Sequence, residues 1–158
     1  MVTRRIGYGM VVSTGDGARE AAVRPPVRRD PPRDFFAANG ISPPSGLFDA
    51  IPDTFYFAKD VEGRFVWRNR LLQEQHGLPR SDDAIGKRDH DFLRTAVADR
   101  IRADDLAVMA GAAVIENQLE AIEDRNGVLR WVCTTKQPLR NGRGDVIGVE
   151  GVSRDVAE

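Results

Sequence analysis

Side chains able to do covalent or acid–base chemistry are few in this chain. There are two histidines, His76 and His90, and one cysteine, Cys133, so any nucleophile–imidazole pair must recruit one of the two histidines. His76 stands beside Gly77 at the end of a short helical run, where a solvent-exposed cap is the ordinary role. His90 lies in Lys87-Arg88-Asp89-His90-Asp91. An imidazole there suits a surface helix turn, a pH-sensitive switch or an axial ligand to haem iron. Cys133 falls in mid-strand, where a cysteine is a small apolar filler and not an activated thiol. Asp104 and Asp105 point about 100° apart on a helix and do not readily share a metal ion. Asp105 needs a cation instead, because an unpaired buried carboxylate is costly; Lys136 or an arginine is the expected partner. Glu120 turns inward by strand alternation and competes for Lys136. No GxSxG, phosphate loop, HExxH or CxxC occurs, and Gly142-Arg143-Gly144 precedes no helix, which makes it a turn. The residues argue for a buried polar network and against catalysis.

Elements must position that network, and the sequence spells most of them. Ser45 can cap a short helix carrying Leu47, Phe48 and Ile51, closed by Pro52. Thr54–Lys59 and Arg64–Asn69 read as aromatic strands around a Gly63 turn. Arg70–His76 is a short helix stopped by Gly77, Ser81–Ile85 a single turn, and Asp89 a cap for a turn through Phe92-Leu93. The one long helix runs from about Thr95 to Ala110. Its Val97, Ala98, Ile101, Val108 and Met109 share one side, with Asp105 in the middle of that stripe. Three strands follow: Ile115–Glu123, Val128–Leu139 and Val146–Asp155, the last two joined by Asn141-Gly142-Arg143-Gly144-Asp145. A hairpin alone is marginal in water. The expected fold is therefore α+β, a five-stranded antiparallel sheet with short helices and one longer helix on one face.

Composition limits the setting. The net charge of −1 gives no electrostatic reason to expect nucleic acid as a partner. One cysteine excludes an internal disulfide framework and, with no run of ~20 apolar residues, leads to the expectation of a cytoplasmic protein without a membrane span. Residues 1–44 differ from the rest: six of the nine prolines and seven arginines against four acids give a local charge of +3. This segment is expected to be a disordered Pro/Arg-rich extension, with Phe35-Phe36 able to dock on the folded part, and residues 45–158 the domain.

The string Ile51-Pro52-Asp53…Phe55-Tyr56-Phe57-Ala58-Lys59-Asp60-Val61-Glu62-Gly63-Arg64-Phe65…Asn69 resembles the opening of a PAS domain. So do Gly86-Lys87-Arg88-Asp89-His90-Asp91-Phe92 and the run Asp105–Gly111. The ending from Gly127 through Trp131, Thr134–Leu139 and Gly144–Gly148 to Gly151-Val152-Ser153-Arg154-Asp155 is similar too, with Val156-Ala157 where many PAS domains have Ile-Thr. The resemblance implies a PAS fold with a pocket between sheet and helices, used for sensing and signal transduction and not for catalysis. It implies a small ligand, a homodimer, and an output partner or a further C-terminal domain acting in transcription or kinase signalling. By alternation back from Pro138, Val132 and Thr134 face that pocket, with Phe57 or Phe55, Trp67, Phe92, Ile101, Met109, Val149 and Ser153 as further lining. Asp105, Glu120, Lys136 and Asp155 form the expected polar relay. Trp131, with Cys133, faces outward as a dimer anchor or a surface covered by Phe35–Ile51. A light-sensing flavin subtype would need a cysteine within Asp82–Phe92, where none occurs. Haem would use His90, and a noncovalent flavin stays open beside a pure interaction module.

Overall fold

The computed structural model describes residues 34–156. The expectation of disorder for residues 1–33 lies outside the described residues. Five strands, β1 (Thr54–Asp60), β2 (Phe65–Arg68), β3 (Ile115–Glu123), β4 (Leu129–Arg140) and β5 (Val146–Asp155), form one antiparallel sheet. Its order is β2-β1-β5-β4-β3, so the first and last strands in sequence are central neighbours. Three α-helical segments accompany it: α1 (Phe35–Ala38), α2 (Arg70–Gln75) and α3 (Thr95–Met109). Short 3-10 turns at Gly46–Asp49, Ser81–Ala84 and Asp89–Asp91 complete the connections.

β1 is buried along its whole length, as a central strand covered on both faces must be. One face packs against α3, whose buried residues Ala98, Ile101, Asp105 and Val108 follow the helical period. The other face is covered over β1 and β2 by chain preceding β1. Phe35, Phe36 and Ile41 pack against Ala58, Val66 and Leu139, and Phe48 stacks on Tyr56 at 4.1 Å. Residues 34–44, assigned above to the extension, thus include a helix docked on the sheet. Asn69 ties the strap to the sheet: it accepts from Tyr56 N at 3.0 Å and donates to Thr54 O at 2.7 Å and Phe48 O at 3.1 Å. Those bonds satisfy a buried amide and cap α2 through Leu72 N.

Two positions require glycine. A Cβ on Gly148 would lie 2.0 Å from Lys59 O, and one on Gly151 would lie 2.7 Å from both Phe57 Cζ and Thr135 O. The second lets the Phe57 ring lie against β5.

Two expectations for the early chain are corrected. Asp89 does not cap the turn it opens: Arg88 occupies that position, Asp91 accepts from Arg88 N at 2.8 Å, and Asp89 turns inward. Trp67 does not face the helices. A bulge opposite Ala58/Lys59 inserts a residue into β2, so Phe65 pairs with Lys59 but Arg68, not Trp67, pairs with Phe57. One extra residue exchanges the faces. Trp67 therefore meets Phe36 on the outer side, ring centroids 6.3 Å apart.

Candidate functional site

Between the inner sheet face and the helices lies a small cavity of about 90 Å³, open at one side. Alternation builds its floor: Phe55, Phe57 and Lys59 come from β1, Val132, Thr134 and Lys136 from β4, Glu120 and Ile122 from β3, and Ser153 from β5. Phe65 of β2 extends that floor beside Lys59; Leu72, His76, Leu93 and Ile101 supply the opposing walls, and Asp124, Val128 and Arg130 one side. The surface is mostly apolar with a few polar groups, the usual composition of a small-molecule site. Thr134 Oγ1 and Ser153 Oγ lie 2.9 Å apart, and whichever donates leaves the other hydroxyl hydrogen for a third group.

One end of the cavity is closed by buried charge. Asp105, fully buried, accepts from Lys136 Nζ and from Lys59 Nζ, each at 2.8 Å; Lys59 also donates to Asp89 at 2.5 Å. Burial alone would raise the Asp105 pKa, but the two ammonium groups outweigh it and hold the carboxyl below its ordinary value. Burial alone would lower that of Lys59, and Asp89 with Asp105 reverses this, holding it above its ordinary value. The lysine also sits 5.0 Å from the Phe57 ring centroid and 5.2 Å from that of Phe65. Of the expected relay, Asp105 and Lys136 are joined. Glu120 is buried but accepts from Gln118 at 3.0 Å, and Asp155 pairs with Arg130 at 3.1 Å at the end of β5.

A second cluster adjoins the first. Arg68, buried, lays its guanidinium over the rings of Phe65 and Phe92, 4.6 and 4.7 Å from their centroids. Its Nη2 donates to Leu72 O at 3.0 Å and to His76 Nδ1. Burial, opposed by Asp89, lowers the Arg68 pKa to about 10. His76 stacks on Phe92 at 4.6 Å. Burial and then Arg68 bring its pKa down to about 3, against a smaller pull from Asp124.

The expected lining divides accordingly. Phe57, Phe55, Ile101, Val132, Thr134 and Ser153 line the cavity. Met109 and Val149 do not: they pack with Val108 and Ile115 in a solid cluster, where Val149 pairs with Pro138, two positions past Lys136 on β4. Phe92 stands behind the wall, against Phe65 and His76. His90 pairs with Asp99 at 2.7 Å with its side chain 43% exposed, and is not among the cavity residues. His76 does cap the C-terminus of α2 as expected, but its ring is partly buried, forms part of the cavity wall and is not solvent-exposed. In the two buried polar clusters, Lys59, Arg68, His76 and Asp89 escaped the sequence reading, as did Arg130 and several apolar residues of the cavity wall. Lys59 had a signal, standing two residues after Phe57 on the same strand face. Trp131 is 48% exposed on the outer face beside Leu119 and Leu129, at 62% and 55%. Among the described residues no group of three or more His, Cys, Asp or Glu could hold a metal ion, and no helix is long and apolar enough to cross a membrane.

A sheet of this order, closed on one face by short helices and one longer helix over a cavity, defines a PAS-type sensory fold. The family model described as the PAS fold matches residues 48–158; the chain belongs to that family. It is similar to the methanogenesis regulatory histidine kinase FilI of Methanothrix harundinacea, 33% identical over 114 residues, covering 70% of this chain and 12% of the kinase. A diguanylate cyclase of Vibrio cholerae is 30% identical over 105 residues, 66% of this chain and 32% of the cyclase. VqmA of Vibrio cholerae, solved with ligand and DNA, superposes with a TM-score of 0.60 at 26% identity, covering 69% of this chain and 48% of VqmA. The chain spans about half or less of each of these proteins.

Proposed function

We propose that this chain is a non-catalytic sensory module that binds a small organic molecule in the cavity and passes occupancy to an output partner or domain. The observation that carries this reading is the cavity itself: aromatic walls and a few convergent polar groups, Thr134, Ser153 and His76 among them. A route outward is built in, since Arg130 lines the cavity and its guanidinium holds Asp155 at the end of β5. The relatives are a regulatory kinase, a cyclase and a ligand- and DNA-bound regulator, so output in kinase signalling or transcription fits. A cytoplasmic setting suits the free Cys133. Mass spectrometry of denatured protein tests the reading. A small molecule co-purifying with the wild type is expected to be lost from Val132→Trp, whose indole would fill the space beside Thr134. Equal retention by a folded Val132→Trp protein sinks the reading.

A second reading concerns assembly, and the exposed Leu119, Leu129 and Trp131 favour it. These residues form an apolar stripe on β3 and β4 suited to a second copy of the chain. VqmA has been described as a dimer.

A further inference from the structure

His76 lines the cavity, yet only one of its ring nitrogens has a protein partner among the described residues. Nδ1 faces Arg68 Nη2. A guanidinium can only donate, so Nδ1 must accept, and a neutral imidazole then carries its proton on Nε2. The ring is held in place by its stack on Phe92, inclined by 18°. Arg68 is held in turn by Leu72 O and by the rings of Phe65 and Phe92. Burial and the neighbouring cation keep the imidazole neutral well below physiological pH. Nε2 is not among the buried atoms sealed without a partner.

We propose that His76 orients the ligand: its Nε2–H, fixed in that tautomer by Arg68, donates a hydrogen bond to an acceptor on a small neutral ring compound, either a ring nitrogen or a carbonyl. This rests on the cavity being the ligand site and adds the chemical class. The cations along the wall are already committed, Lys59 and Lys136 to Asp89 and Asp105, and Arg130 to Asp155. An anionic ligand would therefore have to break an existing pair or stay unpaired in a desolvated site. Phe55, Phe57 and Phe65 in the lining favour an apolar aromatic body. The same geometry argues against His76 as a haem or metal ligand. A ligating imidazole donates through its other nitrogen, whereas this one accepts there. Arg68 is a positioning residue acting through His76.

Quinoline and naphthalene serve as probes, being the same shape with and without a ring-nitrogen acceptor. Binding is followed by chemical-shift titration of the full chain near neutral pH. Loss of one neutral hydrogen bond predicts that His76→Phe weakens quinoline about three- to tenfold and leaves naphthalene within about twofold. His76→Gln, which keeps a donor, recovers part of the loss. Nitrogen-15 spectra of wild-type His76 should show Nδ1 unprotonated and Nε2 protonated, and Arg68→Met should populate the other tautomer, which loss of packing alone would not do. The opposite tautomer in the wild type overturns the proposal, as does an equal loss of both probes in His76→Phe; in either case the cavity reading stands. If neither probe binds the wild type, both the proposal and the cavity reading fall.

Discussion

Asp105 is the residue on which the closed end of the cavity depends. It neutralises Lys136 and shares Lys59 with Asp89. Asp105→Asn leaves a buried excess of positive charge, and removing one partner of such a pair costs about 3–5 kcal/mol, measurable by urea denaturation. The pH dependence has two ends. The Asp105 pKa lies below its ordinary 3.8, so its stabilisation is present above that value and lost as pH falls through the lower folded value. The Lys59 pKa lies above its ordinary 10.5, so its stabilisation is present below that value and lost as pH rises through the folded one. His76 adds a slope between them. Its pKa falls from 6.5 to about 3 on folding, so stability should drop by about 1.4 kcal/mol for each unit the pH falls through that window, and His76→Phe should remove this slope. The sequence offers Lys136 or an arginine as the partner of Asp105, which interrupts an apolar helix stripe; the structure has Lys136 together with Lys59. Asp89 offers no such reading: an aspartate opening a helical turn carries the same signal whether it caps the turn or reaches 2.5 Å to a buried lysine.

At the scale of elements, the strands, α3 and the capped 3-10 turn after Ser45 follow period and capping rules, and the structure matches them closely. The bulge opposite Ala58/Lys59 leaves no comparable mark, because Phe65-Val66-Trp67 is an unbroken apolar run in which no alternation shows where the faces exchange. It decides which of Trp67 and Arg68 enters the inner face, so the Arg68–His76 pair was illegible for a reason of register and not of residue type. The Phe57 floor shows the same dependence on backbone. Gly151 admits the ring only by lacking a side chain. Gly151→Ala puts a methyl against both the ring and the Thr135 carbonyl, and overpacking of this kind costs typically ~1–3 kcal/mol. Because the ring is the easier of the two to displace, thermal melting should show the loss of stability, and naphthalene affinity should fall as Phe57 moves into the cavity. Unchanged naphthalene binding in a destabilised Gly151→Ala protein would mean that the ring relaxes elsewhere.

For the whole molecule, the outer sheet face divides into a covered and an open half. The strap of residues 35–48 covers β1 and β2, where Phe36 meets Trp67 and Phe48 stacks on Tyr56. It reaches β4 only at Leu139 and leaves the outer face around Leu119, Leu129 and Trp131 exposed. Trp131 there pairs with Ala121, and its backbone oxygen accepts from Val156 N at 3.0 Å, so the open stripe reaches the end of β5, where Asp155 meets Arg130. A partner seated on Trp131 would consequently sit next to the Arg130–Asp155 pair, the exit proposed above for the signal. A second copy of the chain is the occupant proposed for the stripe. Trp131→Arg places a charge where desolvation would be costly, and light scattering should then report a monomer with its melting temperature little changed, since the side chain is already half exposed. Phe36→Ala supplies the opposite pattern: it removes a partly buried ring from the covered half, so it should lower stability by less than the ~3 kcal/mol of a fully buried Phe→Ala without altering the oligomeric state. If Trp131→Arg leaves the mass in solution unchanged, the second copy is excluded from this stripe, and coupling from Arg130 through Asp155 must run along β5 alone.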